Sequence, residues 1–502
     1  MVLGIGAAEY GVVFMGVGND PHGISLVRDT PCGPVEGLLS GGVERFLGIP
    51  YAAAPVGAHR FAVPTLPAQW TRTRAATAHG PTPGQVPYPG ALGRLQPTVA
   101  IPGDEYLNVN VFAPAKRPGG LRPVLLWIHG GSLQHGSNAL PGHDGTAFAR
   151  DAVVFAAANY RLGAEGFSVL EDAPLNLGLA DVVAALEWLR VNVESFGGDP
   201  NQVTLMGHGS GGSLVAALLA HPRASSLFAR AIIQSAPLSA WPVSRARRMT
   251  QRIATDLGIA ATREEFAARS PADLLASQAR MAAGATPLNS GPAYGLAIEP
   301  QLVPEDPLRA MLGGAGADIP LLVGTTTQEC RLWHAPGGRG AKVSRTGLAL
   351  ARRRAGISKE AQRLFWRNRP GAGPGEILAA LATDKLLRVP MYTLADARRY
   401  AGGQTQVYEF AWHSPVNDLG AAHGTELPFV FDNLAVRGAT TLVGDAAPQS
   451  LAGAMHEAWV CFATMGIAEW PPWDISRPVK TFNGLGNEVV YSPRDDEAEA
   501  IG

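Results

Sequence analysis

Val203-Thr204-Leu205-Met206-Gly207-His208-Gly209-Ser210-Gly211-Gly212-Ser213 is an apolar strand that passes through a glycine-dense turn into the helical stretch Leu214 to Ala220. Outward from it, Val124-Leu125-Leu126-Trp127-Ile128, Val153-Val154-Phe155-Ala156-Ala157, Ala231-Ile232-Ile233 and Ile319-Pro320-Leu321-Leu322-Val323 read as further buried strands. Each is followed closely by Gly, Asn, Gln or Ser. A helix lies before residue 203, with Val182, Leu186, Leu189 and Val193 on one face and Gly197-Gly198 ending it. Strand, helix, strand in this rhythm predicts a large, mostly parallel central sheet flanked by helices, an α/β fold. From about Val243 to Asp318, and from Lys342 to Tyr400, Ala, Arg and Leu recur at helical spacing between Pro and Gly breaks. These stretches are expected as helical insertions above the carboxyl ends of the strands, where open α/β sheets keep their ligands. No linker composition borders them and no internal repeat occurs, so one domain over residues 1–502 is expected.

The composition narrows the function classes. The chain has 502 residues, 46% of them hydrophobic and 17% charged, with 41 basic against 42 acidic side chains. That excludes disorder and coiled coil, and a net charge of −1 leaves no electrostatic footprint for nucleic acid or an anionic membrane. Only Lys116, Lys342, Lys359, Lys385 and Lys480 are lysines, and with 60 Gly and 40 Pro this reads as the coding bias of a GC-rich genome. Cys32, Cys330 and Cys461 are odd in number and widely spaced, matching neither a disulfide framework nor a metal pattern. Met1 to Met15 is apolar but lacks a basic start and carries Glu9, which argues against a secretory signal. No uncharged run approaches the roughly 20 residues of a bilayer span. A cytoplasmic chain is expected.

The turn at residues 207–211 has the outline of the nucleophile elbow of α/β-hydrolases, Gly-x-Ser-x-Gly, with Gly209 in the central place. Further stretches carry the likeness. Phe46-Leu47-Gly48-Ile49-Pro50-Tyr51-Ala52, with Arg60-Phe61 and Pro64, resembles the N-terminal signature of the type B carboxylesterase and cholinesterase family, bacterial carboxylesterases among them. Trp127-Ile128-His129-Gly130-Gly131-Ser132-Leu133 resembles that family's oxyanion loop, and Asn159-Tyr160-Arg161-Leu162-Gly163 the strand end after it. Asn176-Leu177-Gly178-Leu179 through Phe196-Gly197-Gly198-Asp199-Pro200 resembles the helix that leads into the elbow. The resemblance runs from about residue 27 to 490.

The resemblance implies an α/β-hydrolase fold and a set of site residues. Gly324-Thr325-Thr326-Thr327-Gln328-Glu329 matches the acid segment, with Glu329 in the acid's place. Gly420-Ala421-Ala422-His423-Gly424-Thr425-Glu426-Leu427-Pro428 matches the base segment, with His423 as the base. Gly209 stands at the nucleophile position without a hydroxyl. Backbone N–H groups of Gly131, Ser132 and Ser210 are implied as the oxyanion hole, with Ser132 where the family more often has Gly or Ala. Gly130, His208 and Ser235 are candidates for the layer behind these groups. A satisfied structural role is the alternative for each, and His129, His135 and His208 read as ordinary loop residues. Trp241, Trp333 and Trp412 either line an apolar acyl pocket or pack.

These residues suit hydrolysis of a small-molecule carboxylic ester, with no metal and no organic cofactor, but not the attack itself. Ser210 could replace the nucleophile only by shifting the turn one register, which would put His208 where a close-packing Gly is needed. Two explanations fit the missing hydroxyl. Either a parent reading Gly-His-Ser-Ser-Gly-Gly was altered at residue 209, or the chain is a natural non-catalytic member that binds a ligand or partner. Retention of Glu329, His423 and the oxyanion loop favours the first. Neuroligins are adhesion proteins of this family that lack the nucleophilic Ser, but they work outside cells with disulfides and a signal sequence. A rival reading takes Gly207, Gly209 and Gly212 as a dinucleotide fingerprint, yet the next strand ends in Gln234-Ser235 with no acidic residue to hold a ribose. Substrate identity and oligomeric state are left open.

Overall fold

The computed structural model describes residues 12–13, 23–116, 119–283, 291–335 and 342–502. The N-terminal stretch read above against a secretory signal lies largely outside them. Twelve strands follow one another across a single sheet: β1 Ile24–Thr30, β2 Gly33–Ser40, β3 Val43–Pro50, β4 Asn108–Pro114, β5 Arg122–Ile128, β6 Val154–Ala158, β7 Gly198–His208, β8 Arg230–Gln234, β9 Leu321–Thr326, β10 Thr405–Phe410, β11 Pro478–Phe482 and β12 Val489–Tyr491. Their order is β12-β11-β10-β9-β8-β7-β5-β6-β4-β3-β2-β1, with the short strand Arg74–Ala75 beside β2. From β11 through β6 every pairing is parallel, and antiparallel strands finish both edges. The expected mostly parallel centre is therefore present. At the outer N-terminal edge β1 carries no such run of buried apolar residues and alternates between exposed and half-buried positions.

The centre is apolar on both faces because helices cover both. Register places Leu205 beside Leu126, Met206 beside Trp127 and Gly207 beside Ile128. Leu126, Ile128, Ala156, Leu205, Ile233 and Val323 point into one core, and Leu125, Trp127, Phe155, Met206, Ile232 and Leu322 into the other. This alternation is the two-residue period of a pleated strand with both faces dry. Helix α1, Leu177–Asn192, presents Val182, Leu186 and Leu189 to the first core and stops at a short 3₁₀ turn capped by Gly197 at φ 79°. Buried Arg161 pairs bidentately with Asp181 of that helix at 2.7 and 2.9 Å, fastening the loop after β6 to it. A buried pair of this kind satisfies its own charges and hydrogen-bonding groups, and losing one partner would strand the other.

Both insertions are helical as expected. The first holds α3, Val243–Leu257, and Pro271–Ala282; the second holds Arg345–Arg354, Lys359–Arg367, Pro374–Thr383 and Val389–Tyr400, with a π-helical turn at Asp384–Arg388. The second has its own small core of Leu348, Ile357, Phe365, Ile377 and Leu381, closed by Ile501. Among the described residues no helix is long and apolar enough to cross a membrane, and Cys32, Cys330 and Cys461 are free thiols.

Candidate active site

β7, β8, β9 and β10 run parallel, so their carboxyl ends deliver Gly209, Ser235, Glu329 and, further along, His423 to one edge of the sheet. β7 ends at His208, and helix α2, Ser210–Ala220, starts two residues later. Gly209 makes the turn at φ 54°, ψ −122°, a conformation costly for any residue with a Cβ. The neighbouring glycines are required by contact. A Cβ on Gly211 would meet the Ile128 carbonyl oxygen at 2.2 Å, and one on Gly207 would meet the Gly211 carbonyl carbon at 2.5 Å.

At Gly209 the situation differs. Apart from its chain neighbours, a Cβ there would meet, among the described residues, only the His423 ring, Nε2 at 3.1 Å and Cε1 at 3.4 Å. The other ring nitrogen, Nδ1, lies 2.6 Å from Oε2 of Glu329. Oε1 of Glu329 in turn accepts the Thr326 backbone N–H at 2.7 Å. Glu329 is wholly buried, which alone would raise its pKa. The charge and hydrogen bond of His423, helped by Ser235 and Thr326, hold it below the usual value instead. Burial likewise works against a charged His423, and Glu329 more than offsets it, so the imidazole pKa is raised. The structure thus brings Gly209, Glu329 and His423 together in one relay.

The loop after β5 faces the same corner. Gly131 sits at φ 121°, where a Cβ would strike the His135 carbonyl oxygen at 2.1 Å, and Ser132 at φ 56°. Among the described residues no acceptor takes the backbone N–H groups of Gly131, Ser132 or Ser210, and all three residues line the cavity. Ser210 has a further function beyond filling the small position after the turn. Its Oγ accepts the Leu133 N–H at 3.1 Å, bracing the loop, so the hydroxyl is already engaged. The Tyr160 hydroxyl donates to the His129 carbonyl at 2.8 Å and its ring stacks on that imidazole. His129 and His135 are loop residues, as expected, the first buried and the second half-buried, and desolvation brings each down to about 4, so they are neutral.

The cavity above Gly209 measures about 660 Å³ and is walled by Leu92, Leu140, Trp241, Leu296, Trp333 and Leu387 among others. Trp241 precedes α3, and Leu386 and Leu387 come from the π-helical turn, so both insertions contribute walls. Trp333 lies 5.1 Å from the His423 ring, whereas Trp412 packs on Phe429 away from the cavity. Arg245 and Lys385 border the cavity, and among the described residues no Asp or Glu does. Among the described residues no group of His, Cys, Asp and Glu could hold a metal ion.

A profile of the carboxylesterase family matches residues 25–482. This chain belongs to that family. Similar carboxylesterase-family relatives include the para-nitrobenzyl esterase of Bacillus subtilis (strain 168), 34% identical with 88% of this chain and 92% of the relative covered. The phenmedipham hydrolase of Pseudarthrobacter oxydans is 32% identical, with 93% of this chain and 97% of the relative covered. A solved carboxylesterase of Geobacillus stearothermophilus superposes with a TM-score of 0.84 at 32% identity, over 95% of this chain and all of that one.

Four readings of this carboxylesterase-family sequence need correction or addition. His208 is no ordinary loop residue: it is the last residue of β7, buried, with its ring centroid 4.4 Å from that of His423. Gly130 must be Gly because a Cβ would meet the His208 carbonyl oxygen at 2.7 Å. Glu426 was passed over as part of the base segment, yet it is wholly buried, its Oε1 3.1 Å from His208 Nε2 and 3.5 Å from the Ser235 hydroxyl. Burial and the Glu329 charge raise its carboxyl to about 8, so it is protonated at neutral pH. A Glu three residues after the candidate base, in an otherwise apolar run, was the available signal. The dinucleotide reading loses its footing as well. Gly212 serves close packing on Ala236, whose Cβ a side chain would meet at 2.6 Å, and the Gly209 N–H is taken by the Gln234 carbonyl at 2.9 Å.

Proposed function

We propose that the cavity is the substrate site of a carboxylic-ester hydrolase in which Gly209 occupies the nucleophile's place, so that the chain binds small-molecule esters and forms no acyl-enzyme. One observation carries this: the side chain missing at residue 209 would point at Nε2 of His423 from 3.1 Å, while Nδ1 is held by Glu329. With a serine there, His423 would take the hydroxyl proton during attack and return it to the leaving alcohol, and Glu329 would hold the tautomer and stabilise the imidazolium. The N–H groups of Gly131, Ser132 and Ser210 would receive the oxyanion, a contribution of about 3 kcal/mol per donor. Without the hydroxyl, turnover by that route is lost, a fall on the order of a million-fold. The chemistry calls for neither metal nor organic cofactor.

The test is Gly209→Ser. The new Cβ requires the His423 ring to yield by a few tenths of an ångström. The variant should release p-nitrophenol from short-chain esters with a burst, and an organophosphate should add to residue 209. The unaltered chain should bind the same esters and show neither the burst nor the adduct. A folded variant with no burst and no adduct would overturn the reading in favour of a site built only for binding.

A further inference from the structure

The Gly209 corner combines a base, an empty volume and unused donors. His423 ends a buried relay with Nδ1 2.6 Å from Glu329. Its Nε2 faces the volume that a residue-209 side chain would fill, in which, among the described residues, the ring atoms at 3.1 and 3.4 Å are the only neighbours within 4 Å outside the adjoining chain. The N–H groups of Gly131, Ser132 and Ser210, unclaimed among the described residues, border the same cavity.

We propose that this chain hydrolyses activated esters by a single displacement, in which a water molecule seated beside Gly209 is deprotonated by His423 and attacks the acyl carbon directly. The proposal rests on ester binding by this cavity as set out above. His423 Nε2 takes one proton as the water oxygen bonds to the acyl carbon, and the carbonyl π pair moves to its oxygen, facing the three N–H groups. Collapse of the tetrahedral species breaks the bond to the alcohol oxygen. The imidazolium returns its proton to that alkoxide or, for a stable phenolate, to solvent. One water and one ester become one acid and one alcohol, and no bond to the protein forms.

Glycine, rather than any other residue lacking a nucleophile, makes this route available. A truncated nucleophile that keeps its Cβ occupies the volume next to the base. The residual catalysis then comes from binding and the oxyanion donors, about 10³–10⁴-fold over water, and removing the base costs little more. Here the Cβ is gone. The volume it vacates is polar on the Nε2 side, and a water needs only a small volume with roughly two to four polar partners. The base should therefore count, by the roughly 10²–10⁴-fold usual for a positioned general base.

The experiment follows p-nitrophenyl acetate hydrolysis by the unaltered chain, His423→Ala and His423→Gln, with folding checked by circular dichroism. Tryptophan fluorescence reports ester binding, through Trp241 and Trp333 in the wall. The expected result is linear release without a burst, slowed in heavy water, unchanged mass of the protein during turnover, and a fall of about 100-fold in both folded variants. Equal rates in the unaltered chain and the variants would overturn the proposal and leave residual catalysis without a base. An acyl adduct on His423 would overturn it in favour of the imidazole as nucleophile. Ester binding with hydrolysis no faster than buffer would also overturn it, while ester binding by the cavity stood. No binding, together with an inert Gly209→Ser variant, would instead remove the ester-site reading itself.

Discussion

Glu329 and Glu426 are both wholly buried carboxyls next to the candidate base, yet they are held in opposite states. Burial is the largest influence on each and disfavours charge in both. Glu329 escapes it because His423 Nδ1 at 2.6 Å and the Thr326 N–H at 2.7 Å both reach its oxygens. Glu426 meets the negative charge of Glu329 on one side and His208 on the other, and His208 is itself held neutral, well below its ordinary value, by burial and by His423. The fold therefore places one negative charge against the His423 ring and packs a neutral acid–imidazole pair behind it. Hydrogen-bond supply and neighbouring charge, not depth, decide which carboxyl ionises.

The sharpest way to break this comparison is to neutralise each carboxyl in the Gly209→Ser background. Glu329→Gln keeps the shape but presents the wrong partner to Nδ1, and kcat should fall by about 10⁴-fold. Glu426→Gln replaces an already neutral group and should leave most of the activity, read as kcat on the same p-nitrophenyl ester. Equal losses would show that both carboxyls act as anions.

The pH dependence of stability comes next in size. Glu426 is raised from 4.5 to about 8, so the fold retains a proton that the unfolded chain has released, and stability falls as pH rises between those values and levels off above them. Glu329 is lowered, so its contribution is present above 4.5 and is lost as pH falls further. His423 is raised from 6.5, and its contribution is complete below that value and is lost as pH climbs through the folded pKa. Glu426→Gln should therefore flatten the melting temperature between about pH 5 and 7 while the acid-side loss persists. An unchanged slope would mean that Glu426 is ionised in the fold. The smallest effect is expected at Ser235, whose hydroxyl stands 3.5 Å from Glu426. Ser235→Ala should cost about 1 kcal/mol or less in chemical denaturation and shift the Glu426-dependent slope slightly.

Much of this was legible because the residues concerned act through the chain itself. The parallel strands β5 to β9 announced themselves as buried apolar runs, and the turn at 207–212 as a cluster of glycines, whereas the parallel strands β10 and β11 carry polar Gln406, Glu409, Lys480 and Thr481 within them and show no such run. The antiparallel edge at β1 to β3 was illegible because β1 and β2 are only partly buried and β3 breaks its buried positions with Glu44, Arg45 and Gly48, so none shows such a run. His208 and Glu426 escaped notice because each is one polar residue in its own segment. Their meaning lies in a contact 218 positions apart, reached only when the segment after β10 folds back past the ends of β9 and β8 to the end of β7.

The amino-acid sequence alone determined that residue 209 has no hydroxyl and that segments resembling the family's acid and base segments follow in order, since these are matters of covalent identity. Tertiary structure decided that the ring of His423 turns Nε2 toward that glycine and Nδ1 toward Glu329, and that the second buried acid stays neutral. Those are outcomes of distance, desolvation and neighbouring charge, which exist only once segments far apart in the chain have packed around one imidazole.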